Sequence, residues 1–274
     1  MSVFDQHAWD LQTGDVPAGS GKLLGKADPP PVKLLNETGK GGFVLGCEHA
    51  GNRIPKSLGT LGLSKVERTR HIAWDIGAAR LTEKLSEKLD SPAVLQSYSR
   101  LVFDCNRTMD HSGAFVVDAD GSHVTGNADL TPVEKSKREA EIYRPFHSAL
   151  SALIDRRRWA GDRFSYVAMH SFNDVVRGEK RPWQIGFFYN QQSTMSRFLI
   201  DWFRKNTDHC VGDNQPYSPL DGVDHTLRVQ AEVRSVPYTM IEVRNDLLRS
   251  EKGIAGWAAQ LTQALRAFEH YNDN

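Results

Sequence analysis

The sequence predicts a single α/β domain, a mixed and mostly parallel sheet with helices on both faces, and three observations predict it. Short continuous apolar runs, Phe43–Cys47, Tyr166–Met169, Ile185–Tyr189 and Tyr238–Ile241, have the length and content of strands buried on both sides. Between them, apolar residues recur at helical spacing. The alternation runs the length of the chain with no internal repeat and no mid-chain linker, the pattern of a sheet covered twice. With 274 residues, 39% of them hydrophobic, the chain can bury a sizeable core without staples.

The elements follow in order. Residues 1–35 mix Gly, Pro, Asp and Lys and pass through Pro29-Pro30-Pro31, so they read as an irregular arm laid over a later core, with the folded domain spanning 36–274. Phe43–Cys47 is the first strand and leads into the polar cluster Glu48-His49-Ala50-Gly51-Asn52. From Ile76 the pattern turns helical, with Leu81, Leu85 and Leu89 four residues apart and Asp75 or a neighbour placed to cap the start. Extended segments are expected at Ala93–Gln96 and Leu101–Asp104, the second running into Cys105-Asn106-Arg107. Residues 115–130 are rich in Gly, Asp and Asn and read as a loop, after which Thr131-Pro132 opens a long helix with Ile142, Phe146, Leu150 and Leu153 on its apolar face. The strand Tyr166–Met169 ends at His170-Ser171. Met195, Phe198, Leu199, Trp202 and Phe203 make a complete helical stripe, residues 212–222 read as a loop, and the strand Tyr238–Ile241 ends at Glu242. A closing helix carries Ile254, Trp257, Leu261, Leu265 and Phe268.

Composition excludes several functions. Thirty-four Lys+Arg against 34 Asp+Glu leave no basic field for nucleic acid, and the partner expected is a small molecule. No apolar run approaches the roughly 20 residues of a membrane span, and the N-terminal residues lack the basic and apolar regions of a signal peptide, so a cytoplasmic location is expected. Three widely spaced cysteines suggest neither a disulfide framework nor a thiolate zinc site. Any metal would be held by nitrogen and oxygen.

In open α/β sheets, sites form beyond the carboxyl ends of the strands. Four apolar segments here run into polar residues of the kinds a catalyst uses: Glu48-His49, Asn106-Arg107, His170-Ser171 and Glu242-Val243-Arg244. Two imidazoles and a carboxylate make the usual three-ligand catalytic zinc site, with a fourth position for a water whose pKa falls to about 7. His49 and His170 are the expected imidazoles. For the third ligand Asp75 is favoured over Asn52 and Glu48, because a carboxylate binds zinc better than an amide and Glu48 is adjacent to His49. Glu242 is the expected general base, and Arg244 or a water must satisfy it if it is buried. Arg107, helped by Asn106, has the planar fork suited to a substrate carboxylate. Arg100 is expected to make structural ion pairs. His71, His147 and His225 are weaker candidates.

The runs Val44-Leu-Gly-Cys-Glu-His-Ala-Gly-Asn-Arg-Ile-Pro55, Arg70-His-Ile-Ala-Trp-Asp-Ile-Gly-Ala78 and Ser99-Arg-Leu-Val-Phe-Asp-Cys-Asn-Arg107 resemble the N-formylglutamate amidohydrolase family. Met169-His-Ser171 and Ile241-Glu-Val-Arg-Asn-Asp-Leu247 fit it too, and the resemblance spans roughly residues 40–265. It implies a zinc-carboxypeptidase-like fold (phosphorylase/hydrolase-like) with a sheet of eight mixed strands, and one zinc per chain. It further implies metal binding by His170, substrate-carboxylate binding by Asn106 and Arg107, and a general base at Glu242, with Arg244 among the substrate-binding residues. The implied activity is hydrolysis of the amide bond of a small N-formyl or N-acyl amino acid by metal-activated water. The alternatives are a carboxypeptidase-like peptide hydrolase and a binding protein with a decayed site. His49-Ala50-Gly51-Asn52 departs from the His-x-x-Glu of the carboxypeptidases, and Glu-His-Ala-Gly-Asn resembles a divergent branch of the amidohydrolases.

Overall fold

The structure is a computed structural model that describes residues 21–273. Residues 1–20 of the expected arm lie outside the described residues. The main sheet has seven strands: β1 (Val32–Leu35), β2 (Phe43–Cys47), β3 (Ala93–Gln96), β6 (Ser165–Phe172), β9 (Ile185–Phe188), β10 (Val211–Asp213) and β11 (Tyr238–Arg244). Two short hairpins, β4 (Asp118–Ala119) with β5 (Ser122–His123) and β7 (Val175–Val176) with β8 (Glu179–Lys180), stand apart from it. The order is β1-β3-β2-β6-β11-β9-β10, seven strands among the described residues where the resemblance implies eight. Pairs β3–β2, β2–β6, β6–β11 and β9–β10 are parallel; β1–β3 and β11–β9 are antiparallel.

Alternate residues of the central strands serve two cores. Leu45, Val167, Met169, Ile241 and Val243 pack under α1 (Ala78–Lys88), α4 (Thr194–Asn206) and α5 (Glu251–Asp273). Val44, Tyr166, Ala168 and Met240 face the opposite layer, built from α3 (Arg144–Trp159) and the segments around 54–74 and 98–116. The helical stripes read from the sequence are the buried ones: Leu81 and Leu85, Met195, Leu199 and Phe203, and Leu261 and Leu265.

Four local expectations are corrected. Residues 32–35, assigned to the irregular arm, form β1 and pair with β3; of the described residues before them, Leu23 is buried and the Pro29 carbonyl accepts from Tyr98 at 2.8 Å. Leu101–Asp104 is a turn rather than a strand; its apolar residues fill a core without joining the ladder, and burial alone does not distinguish the two in sequence. Residues 211–213 are a strand that takes in the start of the expected loop. Asp75 does not cap α1, whose N-cap is Gly77 at φ 83°.

The expected long helix has three parts. α2 (Pro132–Arg138) starts at a capping box in which Thr131 accepts from the Glu134 amide and the Glu134 carboxylate accepts from the Thr131 amide. A π-turn over Glu139–Tyr143 then leads into α3. Glu141 in that turn receives the amides of Leu23 and Leu24, and Tyr143 contacts His225. Among the described residues no helix is long and apolar enough to cross a membrane.

Candidate metal centre

The centre lies where β2 and β6 end and β11 runs beside them. His170 and Glu242 are register partners in adjacent parallel strands. Side chains alternate along a strand, so both share the face of Ala168 and Met240, toward the α3 layer. His49 follows β2, and the Asp75 amide donates to the His49 carbonyl at 2.9 Å, which brings the start of α1 against that loop. Three side chains from distant segments thereby converge. His49, Asp75 and His170 are all buried, with one potential ligand atom each, all lying within 4.8 Å of one another.

The distances have the scale of a coordination polyhedron. Asp75 Oδ2 is 3.4 Å from His49 Nδ1 and 2.9 Å from His170 Nδ1. With zinc–ligand bonds of about 2.0–2.2 Å, neighbouring tetrahedral ligands stand about 3.3 Å apart. The ring centroids of the two imidazoles are 4.9 Å apart. Each imidazole also turns its second nitrogen to a carboxylate: His49 Nε2 to Asp104 Oδ1 at 2.7 Å, and His170 Nε2 to Glu48 Oε2 at 3.1 Å. An ionised carboxylate only accepts, so Asp104 holds a proton on His49 Nε2 and leaves Nδ1 turned toward Asp75. Asp104 is itself fixed by the Asn106 amide at 2.9 Å and by Arg100, whose Nε lies 3.1 Å from Oδ2. Arg100 is thus the structural ion-pair former expected of it.

Electrostatics show what the cluster lacks. Glu48, Asp75, Asp104 and Glu242 are buried together, and the guanidinium in bonding contact with them is that of Arg100. Burial pushes the Glu48 and Asp75 carboxyls upward, but the His170 charge on Glu48 and the His49 charge on Asp75 outweigh it; Glu48 falls to about 2 and Asp75 well below the usual range. Burial works against a charge on His170, yet Glu48 and Asp75 on either side raise its pKa well above the ordinary value. The imidazolium is doing the work of a cation between two anions. Buried atoms without a hydrogen-bond partner concentrate here: Glu48 Oε2, His49 Nδ1, Asp75 Oδ1, His170 Nε2 and Glu242 Oε2. A buried, acid-rich pocket into which two imidazoles are turned fits a divalent cation, whose binding would release the His170 proton.

Glu242 differs from the other acids. Burial, reinforced by the Asp75 charge and opposed by His170, Arg100 and Arg181, pushes it up to about 8. Gly186, its register partner on β9, has no room for a side chain because a Cβ there would meet the Gln215 carbonyl at 1.8 Å; the 214–217 loop therefore lies directly against the strand beside Glu242.

The remaining expected residues divide. Arg107 is half-buried, and its guanidinium bonds the Asn106 carbonyl at 2.8 Å and, among the described residues, no carboxylate. It lines a cleft of about 560 Å³ with His225 and Arg228. Asn106, expected to touch substrate, pins the 223–226 loop: its carboxamide donates to the Val223 carbonyl at 2.6 Å and accepts from the Thr226 amide at 3.0 Å. Arg244 makes no bond to Glu242: its guanidinium meets both oxygens of Asp246, at 2.8 and 3.3 Å, and the carbonyls of Arg181 and Trp183. Asn52 donates to the Arg68 carbonyl at 3.0 Å, and Glu48 meets His170 on the side away from Asp75. Sequence reasoning did not single out Asp104 or the Tyr166 hydroxyl, which reaches Glu48 at 3.3 Å across a gap that a Cβ on Gly46 would fill.

Fold and site together are those of an α/β protein with a buried His-Asp-His cluster that could hold a metal ion. The chain belongs to the N-formylglutamate amidohydrolase family, whose sequence profile matches residues 41–249. The crystal structure of a gene product of Agrobacterium tumefaciens is 36% identical and superposes with a TM-score of 0.87, covering 90% of this chain and 100% of that one. The N-formylglutamate amidohydrolase of Ralstonia eutropha JMP134 is 19% identical with a TM-score of 0.65, over 88% of this chain and 98% of that one, a likeness of fold. No curated protein matches the sequence.

Proposed function

We propose that this protein is a zinc-dependent amidohydrolase acting on a small N-formyl or N-acyl amino acid, with N-formylglutamate as the reference substrate, one zinc per chain and a cytoplasmic location. Three free cysteines, two of them buried, support the last point. The observation that carries the reading is the convergence of His49, Asp75 and His170, with the far nitrogen of each imidazole on its own carboxylate. Family membership supports the amide bond as the target.

His49 Nδ1, His170 Nδ1 and Asp75 would hold the ion. Zinc bound there supplies Lewis-acid polarisation of the amide carbonyl and brings the pKa of water to about 7. Asp104 fixes the tautomer and ring plane of His49, and Glu48 faces His170 Nε2 at 3.1 Å. Glu242, held near 8 by burial, moves a proton from the attacking water to the leaving nitrogen through its carboxylate. Positive charge at the triad draws its pKa down from that value toward the working range. Arg107 offers an unpaired guanidinium to a substrate carboxylate from the wall of the cleft, and Asn106 holds the loop that shapes that wall. Metal analysis of the purified chain, together with formate release from N-formylglutamate, tests the reading. About one zinc per chain with turnover is expected. A metal-replete chain that releases formate from no N-formyl amino acid overturns it.

A further inference from the structure

Four guanidiniums surround the centre, and they are not equivalent. Arg100 is spent on Asp104 and Arg244 on Asp246. Arg107 and Arg181 make no ion pair among the described residues. Arg181 follows the β7–β8 hairpin, and its backbone is tied at both ends of the peptide unit: its amide donates to the Asp174 carbonyl at 2.8 Å and its carbonyl accepts from Arg244 at 3.4 Å. Its side chain is stacked, with the guanidinium carbon 5.0 Å from the centre of the Tyr217 ring and 5.7 Å from that of Phe172. One hydrogen bond, to the Tyr217 hydroxyl at 3.4 Å, completes its polar contacts.

The position follows from the sheet. Phe172 is two residues beyond His170 on β6 and so lies on the same face, one pleat or about 7 Å further along. Tyr217 belongs to the loop that Gly186 admits against Glu242. Arg181 therefore sits over the end of the strand that carries His170, above the centre, and its charge acts on both Glu242 and His71. Arg107 stands toward the other side, where its charge acts on Asp104, Asp224 and His225. A planar cation packed against two rings has already lost part of its freedom, and its guanidinium N–H groups suit a carboxylate bidentately. In an N-acyl amino acid the α-carboxylate is three bonds from the reacting carbonyl carbon, so it must be met close to the centre; an acidic side chain reaches further.

We propose that Arg181, clamped by Phe172 and Tyr217, binds the α-carboxylate of the substrate, and that Arg107 serves a second carboxylate on the side chain. The inference rests on the amidohydrolase reading above. It is tested with Arg181→Met, Arg181→Lys and Tyr217→Leu against N-formylglutamate, its α-amide and its side-chain amide. Arg181→Met is expected to raise KM for N-formylglutamate and for the side-chain amide on the order of 100-fold, with kcat within about threefold and KM for the α-amide unchanged. Arg181→Lys restores part of the loss, and Tyr217→Leu gives a smaller rise of the same selectivity. Calorimetry of glutamate and of its α-amide with the zinc-loaded wild type and Arg181→Met gives a readout independent of turnover, in which wild type alone prefers the acid. If wild type turns over N-formylglutamate and Arg181→Met keeps the same preference for α-acid over α-amide, the inference falls and the function stands. If wild type turns over no N-formyl amino acid, the function falls, and equal binding of glutamate and its α-amide by wild type removes the inference as well.

Discussion

Two pairs of histidines lie in this molecule at nearly the same spacing, and they have opposite electrostatic characters. His49 and His170 have ring centroids 4.9 Å apart and His147 and His225 5.5 Å apart. The first pair is surrounded by Glu48, Asp75 and Asp104, and His170 is driven well above its ordinary pKa. The second has neutral partners: the Cys105 carbonyl and Gln230 around His147, and the Tyr143 hydroxyl on His225. Burial then dominates, and it lowers His147 to about 4 and His225 to about 3. Proximity of imidazoles does not make a cation site; the acids around them do.

Breaking the first pair should have the largest effect. His170→Ala should cut bound zinc from about one per chain to background by plasma emission analysis, and abolish turnover. Retention of a full equivalent of zinc would remove His170 from the ligand set. Glu242→Gln should come next: zinc content unchanged, kcat down on the order of 1,000-fold or more, since the carboxylate moves the proton but does not hold the ion. Full activity in that variant would end the role given to Glu242.

The second pair is probed by pH. His147 has a folded pKa of about 4 against about 6.5 unfolded, so between those values the unfolded chain binds more protons. Its contribution is fully present above pH 6.5 and is lost as pH falls toward 4, by about 3 kcal/mol at the acid end. Urea titrations of wild type and His147→Gln across pH 7 to 4 should show a shallower slope for the variant; parallel slopes would assign the acid sensitivity elsewhere. The smallest expected effect sharpens the contrast: His147→Gln should leave zinc content within about 10% of wild type, because among the described residues no carboxylate contacts that imidazole. A stoichiometric loss there would mean that the two pairs share one ion.

Much of this was legible in the chain because burial and polarity conflict locally. His170 and Glu242 interrupt strands that are otherwise apolar, and His49 follows one directly; polar groups in such places must be satisfied by something. The helices α1, α4 and α5 were legible from their stripes. The partners that satisfy the polar groups were not. Asp104 meets His49 across 55 positions and Asp75 meets His170 across 95, and no local pattern encodes a contact of that separation. The Arg244–Asp246 bond was open to either reading, because an arginine near a strand-end carboxylate looks the same in sequence whether it serves a ligand or a neighbour two residues on. β1 and β10 were missed because four and three residues are too short for a period-2 signal to emerge from Pro-rich and Gly-rich surroundings.

The π-turn at Glu139–Tyr143 carries a consequence of its own. A helix that accommodates one surplus residue rotates everything downstream by roughly 100° relative to what precedes it. That phase offset lets a single rod address two clients at once, offering Glu141 to the incoming arm and Tyr143 to His225. Shortening the turn by one position would yield a more regular rod and a less useful one: either the arm loses its mooring or the cleft wall loses its brace, and no single rotation serves both.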